Sequence, residues 1–534
     1  MNTTAPDRGK RFVLNVLWNW LGTGASLFIG FVLSPYLILK LGPDGYGVWA
    51  IAFSLVEYYW FFDLGFRSAT VKFVAHYSAT NEPDNVRAVI NTVFLYSAAA
   101  GIVILGIAIA FAGRVERFFQ IAPGLQGNFR TLVFVITLSW CLGLVFNIFN
   151  ASLEAVQHFE YSNKASIVSA VLRAVGQAVL LYLGYKLIAL GIVVVISQAI
   201  GYAINYFYFR KVFPEQRISF RFARFAMLRQ MAGFGMHTFL MTISTQLLNQ
   251  SAPLWIGHFR PAAFVGYYNL PVRLLQYTVE LVGRIGIVTN TNAAELAARG
   301  SFDELADLAV YTNRYCLAIF MPIAILLWTH GPQLFVFWVG RQFAAQSAPV
   351  LPMLLAGFVI GVVGQYSASM LLQGLGKHQR YARSLLAEAI AGFVLLWLVV
   401  PRWGIVGAAW VVAVLMIANR GLVASWLISR TIGLSFGAYL ASVYLRPMLA
   451  ALPVAGIALW LRAAILPGNS WAQILATAVV LAVLFYTLAF FAVLDTRHRT
   501  ILLDWINVRR RLGGSTDVCR VPTNPIPHKG ESRP

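Results

Sequence analysis

The chain has 534 residues, of which 59% are hydrophobic and only 11% are charged, whereas soluble proteins are roughly half apolar and a quarter charged. This composition, with a mean hydropathy of +0.70, excludes a water-soluble fold. The formal net charge of +21 comes without any nucleic-acid-binding motif, so we attribute it to cytoplasmic loops that face anionic lipid headgroups.

Apolar residues are grouped into fourteen runs, most of them close to the length that a helix needs to cross a hydrocarbon core of about 30 Å. In chain order, the predicted membrane helices cover 12-39, 45-62, 88-112, 131-152, 166-184, 188-209, 232-257, 264-290, 315-330, 350-372, 384-400, 405-428, 447-465 and 473-494. No loop between them is long enough to fold as a catalytic domain. We therefore predict an all-α integral membrane protein that is not an enzyme.

The basic residues predict how the chain lies in the membrane. Most of the 41 Lys and Arg fall in segments that are cytoplasmic if the N-terminus is inside, above all 210-231 and the tail 495-534. The positive-inside rule then places both termini in the cytoplasm. The segment 63-79 mixes apolar and basic residues, which predicts a helix on the inner membrane surface, with Asp63 and Arg67 spaced as an ion pair.

An internal repeat predicts the domain organisation. Matching residues at an offset of 218 or 219 are Pro35 with Pro253, Pro43 with Pro261, Gly47 with Gly266, and 152-155 with 371-374. The predicted units are an N-lobe (1-209), a cytoplasmic linker (210-231), a C-lobe (232-430), two added helices (431-494) and a basic, partly disordered tail (495-534). Because each lobe holds six helices, the two lobes share one orientation, as in transporters that bind substrate between rocking halves.

Charged side chains within the eighth run are the first candidates for a binding site. Arg273, Tyr277, Glu280 and Arg284 are spaced to share one helix face. A charge at the bilayer centre costs at least about 2.5–3.5 kcal/mol, so it usually has a function. We expect Arg273 and Arg284 to contact phosphate or acidic sugars, since guanidinium pairs bidentately with phosphate oxygens. The alternative is that Glu280 and Arg284 only neutralise each other.

A second candidate site lies in the second run. Glu57 falls near the middle of that helix, and a carboxylate in a low-dielectric environment can carry a proton, so Glu57 and Glu280 are candidates for ion coupling. Glu57 could instead be a static partner of Arg173 in the fifth run, and we also include Arg173 among the candidate substrate-binding residues. Glu388 and Arg420 lie nearer the predicted cytoplasmic side, where we favour a structural role, because charges near helix ends can snorkel to the surface.

Sequence motifs for bound cofactors or metals are absent. The residues 374-377, GLGK, resemble part of a phosphate loop, but no strand precedes them and the spacing of a P-loop fails. The eight histidines form no ligand pattern, and the three cysteines have no paired spacing. We predict no cofactor and no metal.

Four segments resemble a known family. LILKLGPDGYGVWAIAFSL (37-55), DLGFRSATVKFVAHYSA (63-79), FVGYYNLPVRLL (264-275) and LLQGLGKHQRY (371-381) are similar to polysaccharide flippases of the Wzx type, in the MOP superfamily with MurJ-like and MATE transporters. The likeness runs over most of 10-430. It implies flipping of an undecaprenyl-pyrophosphate-linked oligosaccharide to the periplasmic leaflet of a bacterial inner membrane, for O-antigen, capsule or exopolysaccharide assembly. Expected partners are membrane lipids and a polysaccharide polymerase or export machinery.

The first helix departs from related families. Where similar lipid II flippases carry basic residues, this chain has Asn15 and Asn19, which we include among the candidate substrate-binding residues. It also has no acidic residue of the kind that MATE cation sites carry in helix 1. A lipid II flippase and a cation-coupled exporter remain alternatives, and a membrane glycosyltransferase or polymerase is remote because the outer loops are short.

Overall fold

The computed structural model describes the backbone of residues 5-362, 364, 368-500 and 503-504. Within these ranges it describes all side chains except those of 5-23, 25-26, 234-238, 281, 284-288 and 291. Every regular element in the described ranges is a helix, as predicted for an all-α membrane protein.

The α-helices of the described ranges are, in chain order, α1 Ala5–Glu57, α2 Phe66–Ala79, α3 Pro83–Phe118, α4 Gln126–Ala155, α5 Phe159–Tyr182, α6 Leu187–Val212, α7 Phe225–Phe259, α8 Ala262–Arg299, α9 Phe302–Val339, α10 Arg341–Ser347, α11 Leu351–Val362, α12 Ser369–Gly374, α13 Gln379–Leu415, α14 Ala424–Thr431, α15 Phe436–Leu440, α16 Arg446–Ala464 and α17 Trp471–Ala492. Two π-helical segments, Met416–Val423 and Ala441–Leu445, lead into α14 and α16.

Two of these helices each contain two predicted runs. In α1 the helix geometry breaks at Gly42, where φ is 70° and ψ is 175°. Pro43 disfavours helical geometry in the residue before it, and a positive φ is easy only for glycine. In α13 the corresponding break is at Gly404, with φ 55° and ψ −142°. The predicted gaps between runs 1 and 2 and between runs 11 and 12 are therefore turns.

Within the described residues, ten helical stretches are long and apolar enough to span a membrane. Gln379–Thr431 holds the eleventh and twelfth predicted runs, and Leu27–Phe62 holds the second run and the end of the first. The helices α7 and α8 are of spanning length but do not belong to the ten. Their polar side chains lower their hydropathy, and these same side chains line the central cavity described below.

The helix α2 lies where the sequence predicts a surface helix. Its apolar side chains, Phe66, Ala69, Phe73 and Val74, are buried, and α2 packs against α3, α4 and α7. The four-residue spacing predicts an ion pair between Asp63 and Arg67. In the structure the Arg67 guanidinium instead pairs with Glu154 of α4 at 2.8 Å. The Asp63 carboxylate accepts hydrogen bonds from backbone N–H groups at the start of α2.

The last two long helices are attached to α9. Both α16 and α17 pack along α9 and along each other. At one end, the Asp495 carboxylate accepts hydrogen bonds from Arg314 of α9 at 3.0 Å and from Arg446 of α16 at 2.9 Å. This carboxylate therefore ties the chain after α17 to both neighbours.

Candidate functional site

A central cavity of about 360 Å³ is bounded by α1, α7, α8, α11 and α13. Its charged lining residues are Glu57, Arg273, Glu280, Glu388 and Arg420, and its amide lining residues are Gln246, Asn249, Gln250, Asn269 and Gln276. Each charge there carries the cost of removal from water unless it meets a partner. The cavity is thus a polar chamber inside a helical membrane protein.

The helix α8 contributes a polar stripe to this chamber. Asn269, Arg273, Gln276 and Glu280 follow one another at three- or four-residue spacing, so they lie on one face. Arg273 lies within electrostatic range of Glu57 on α1 and of Arg173 on α5. The structure therefore brings Arg273, Glu280 and Glu57 into one chamber, although the sequence places them in two separate candidate sites.

Tyr277 points away from this stripe. A Cβ atom at Gly30 of α1 would lie only 2.7 Å from the Tyr277 hydroxyl oxygen, so the phenol packs directly on the α1 backbone. Tyr277 does not line the central cavity, and the prediction that it shares the functional face is wrong. The reason is packing between helices, because Gly30 has no side chain and so leaves room for the Tyr277 ring on the facing α1 backbone.

Glu57 makes its contact with α7. Gln246 donates from Nε2 to Glu57 Oε2 at 3.3 Å. Among the described residues, no Lys, Arg or His nitrogen lies within 4.0 Å of this carboxylate, so a static pair with Arg173 is not formed. Arg173 is half-buried on α5 and does not line the cavity.

Three other predicted site residues fall outside the described side chains. They are Asn15 and Asn19 in α1 and Arg284 in α8. Their roles, including the alternative of an internal Glu280–Arg284 pair, remain predictions.

Glu388 and Arg420 form a buried ion pair in the cavity wall. Arg420 Nε lies 3.3 Å from Glu388 Oε1, and their side chains are 8% and 2% exposed. Asn419 donates from Nδ2 to the other carboxylate oxygen at 2.7 Å. The prediction that these charges snorkel to the surface is therefore wrong, because the two side chains face each other in the buried wall. Arg420 lies in the π-helical segment Met416–Val423, a geometry often found at functional sites.

The central cavity continues into a second one of about 470 Å³. Thr245 and Gln246 line both cavities, and Asn290 of α8 lines the second. From Arg273 to Asn290 the helix rises by roughly 25 Å. The two cavities together thus form a polar path from the Arg273 level toward the end of the bundle that holds α2.

The opposite end of the chamber is closed by a glycine seam, which we define as Gly47 on α1 and Gly266 on α8 with their contacts. A Cβ at Gly47 would overlap the carbonyl of Ala262, and a Cβ at Gly266 would lie 2.9 Å from the Tyr46 ring. Phe343 adds edge contacts to Tyr46 and Tyr267, with ring centroids 6.0 and 4.8 Å apart. The backbones of α1 and α8 are therefore in direct contact at this end of the chamber.

The cavity also holds residues that the sequence prediction does not include. They include Gln246 and Asn249 of α7 and Asn269 and Gln276 of α8. For the α8 pair, the helical spacing beside Arg273 and Glu280 was a usable signal, because a polar stripe on an apolar helix marks a face that avoids lipid.

A bundle of apolar helices around a charged, amide-rich chamber is the architecture of a membrane transporter. The chain belongs to the family described as "Polysaccharide biosynthesis protein", whose model matches residues 12–289, slightly more than half of its length. The predicted resemblance to Wzx-type flippases of the MOP superfamily is thereby confirmed.

Two relatives align over most of this chain. A Shigella flexneri protein named for O-antigen transport is 22% identical over 427 residues, which cover 78% of this chain and 98% of that protein. The uncharacterised membrane protein EpsK of Bacillus subtilis is 20% identical over 507 residues, covering 92% and 97%.

Solved structures share the fold. The lipid II flippase MurJ in an inward closed conformation superposes with a TM-score of 0.66 at 14% identity, covering 89% of this chain and 99% of that one. A MATE family multidrug transporter in its inward-facing conformation gives a TM-score of 0.60 at 14% identity, covering 78% and 95%. At this identity the likeness establishes the architecture alone.

Proposed function

We propose that this protein flips an undecaprenyl-pyrophosphate-linked oligosaccharide from the cytoplasmic to the periplasmic leaflet by alternating access. The observation that carries the proposal is the position of Arg273 in the wall of a central chamber rich in amide side chains. The family match and the relative named for O-antigen transport support the same substrate class.

The chemistry of the chamber suits such a molecule. A guanidinium pairs with phosphate oxygens through two parallel N–H donors, so Arg273 would receive the pyrophosphate. Amide side chains both donate and accept, and can therefore bond sugar hydroxyls whichever way these point. Gln246, Asn249, Asn269 and Gln276 are placed for that role.

The conformation of the cavities supports the direction of access. With both termini cytoplasmic, as the positive-inside rule predicts, the path lined by Asn290 and Gln246 opens toward the cytoplasm. The glycine seam then closes the periplasmic side. Rocking of the predicted lobes, 1-209 and 232-430, would open the seam and close the path.

Glu57 is the proposed coupling group. It lies in the chamber within electrostatic range of Arg273, and its hydrogen bond to Gln246 links α1 with α7 across the proposed lobe interface. A carboxylate that alternates between protonated and charged forms would change its attraction for Arg273 and so tie proton entry to substrate release.

Surface polysaccharide in intact cells tests the proposal. In a strain lacking the chromosomal gene, we expect Arg273→Ala to abolish surface polymer at unchanged protein level, since the phosphate loses its bidentate partner. The matched control is Arg402→Ala, an exposed arginine outside the cavity, which should support normal polymer. Normal polymer from Arg273→Ala would overturn the assigned role of the cavity.

A further inference from the structure

A separate surface cavity of about 490 Å³ lies between the turn that joins α12 to α13 and the end of α14. Its polar lining consists of Lys377, Gln379, Arg380, Arg430 and Thr431. No described residue lines both this cavity and either of the two cavities of the proposed path. The α12–α13 turn nevertheless contributes to both sides, since Gln373 and His378 line the second cavity of the path.

The lining of this cavity has an excess of positive charge. Three cationic side chains line it and no carboxylate does. Some basic residues elsewhere do meet acids, as in Arg67–Glu154, Arg314–Asp495 and Arg299–Glu295. Within the described part of the chain, Lys377, Arg380 and Arg430 have no carboxylate within 4.0 Å. Three cations gathered in one concavity without a protein partner are suited to an anion.

Local structure holds the cations in place. The Arg430 guanidinium lies 4.4 Å from the centroid of the Trp426 ring, a cation–π contact that orients it. The turn before α13 is closed by the Lys377 N–H, which donates to the Leu372 carbonyl at 2.9 Å. Gly376, with φ at +66°, permits that turn. The cavity is thus formed before any ligand arrives.

The position of the cavity relative to the predicted membrane surface indicates which kind of anion it binds. The predicted membrane run of α13 begins at 384, four residues after Arg380, and the twelfth run ends at 428, two residues before Arg430. Trp426, a residue type that favours the interface, is partly exposed beside it. Basic pockets between helices on the cytoplasmic side bind anionic headgroups.

We infer that Lys377, Arg380 and Arg430 form a binding site for the phosphate of an anionic phospholipid, separate from the transported substrate. Phospholipid bound here would hold the α12–α13 turn against α14. The site does not depend on the proposed transport function.

Native mass spectrometry of the purified full-length protein, titrated with phosphatidylglycerol, tests this site. The combined variant Lys377→Ala, Arg380→Ala, Arg430→Ala should bind the first phosphatidylglycerol roughly 100-fold more weakly, since each Lys or Arg near the membrane surface contributes on the order of fivefold. Phosphatidylcholine should show no difference between the two proteins. Arg273→Ala should bind phosphatidylglycerol as the wild type does, which separates this site from the transport cavity.

The matched control removes the same charge elsewhere: Lys211→Ala, Arg221→Ala and Arg229→Ala, all exposed and none lining the cavity. The proposed site would be refuted if this control lost as much phosphatidylglycerol affinity as the triple variant of Lys377, Arg380 and Arg430. It would also be refuted if that triple variant lost no affinity. Binding of inorganic phosphate with no preference for phosphatidylglycerol would overturn the lipid source. If the triple variant does not fold, Arg430→Gln and Lys377→Gln alone should each weaken binding about fivefold.

Discussion

Among the charged residues of the chamber, Glu57 permits the most specific functional prediction. Its carboxylate lies in the central cavity, hydrogen-bonded to Gln246 and within electrostatic range of Arg273. Glutamine keeps the size and a hydrogen-bonding oxygen but cannot change charge.

Glu57→Gln should therefore fold normally and lose the acceleration of flipping by an imposed proton gradient, while flipping without a gradient persists. Initial rates in vesicles, with and without the gradient, measure this. The control is Glu295→Gln, whose carboxylate is exposed and pairs with Arg299 at 2.5 Å. An undiminished gradient response in Glu57→Gln would rule out the coupling role.

The buried pair of Glu388 and Arg420 permits a stability prediction. Glu388→Ala takes away the carboxylate that faces the buried Arg420 guanidinium at 3.3 Å, and breaking a buried pair in this way costs about 3–5 kcal/mol. Glu388→Ala should therefore lower the unfolding temperature of the purified protein markedly. The double variant Glu388→Leu, Arg420→Met should recover most of that loss, because an apolar replacement of the whole pair is often neutral. A double variant as unstable as Glu388→Ala would show that the pairing itself is not the stabilising feature.

At the scale of elements, the glycine seam between α1 and α8 defines the closed end of the chamber. At Gly47 an added methyl group would meet the backbone of Ala262 and Ala263, which cannot move aside as a flexible side chain can. The two helix ends must then separate.

Gly47→Ala should therefore shift the population toward a conformation open at that end. A cysteine placed at Ser54, which is buried at the cavity wall beneath the seam, reports this through labelling by a membrane-impermeant thiol reagent added from the periplasmic side. We expect faster labelling in Gly47→Ala and no change in Gly106→Ala, where an added Cβ has nothing within 4 Å. Equal labelling in the two backgrounds would contradict a seam that gates access.

The positions of the helices could be predicted from the sequence, because the length of an apolar run and the residues that interrupt a helix are local properties of the chain. The breaks at Gly42 and Gly404 coincide with gaps between predicted runs. The π-helical geometry of Met416–Val423 depends on packing between helices, as where Gly364 lies against the Arg420 backbone.

The candidate site was predictable only in its charged part. Arg273, Glu280 and Glu57 stand out because a charge in an apolar run needs a reason. The orientation of Tyr277 depends on its contact with Gly30 of the facing helix, which spacing alone does not reveal. The neutral amides of α7 and α8 were missed because isolated Asn and Gln in membrane helices also serve helix packing.

At the scale of the whole molecule, the repeat and the chamber fit one mechanism. Gly47 and Gly266, which match at the repeat offset of 219, face each other in the seam. Equivalent positions of the two halves thus meet at the closed end, where rocking of two like-oriented lobes would part them. The lobe boundaries at 209 and 232 remain predictions.

The most direct test of the central claim uses purified protein in proteoliposomes and a fluorescent oligosaccharide on undecaprenyl pyrophosphate. Translocation is read from the fraction of label that becomes accessible to a membrane-impermeant quencher. We predict that the wild-type protein flips this lipid and that Arg273→Ala flips it about 10- to 100-fold more slowly, as expected for loss of a charged hydrogen-bonding partner. No flipping by the wild type, or equal initial rates for the two proteins, would contradict transport through the Arg273 chamber.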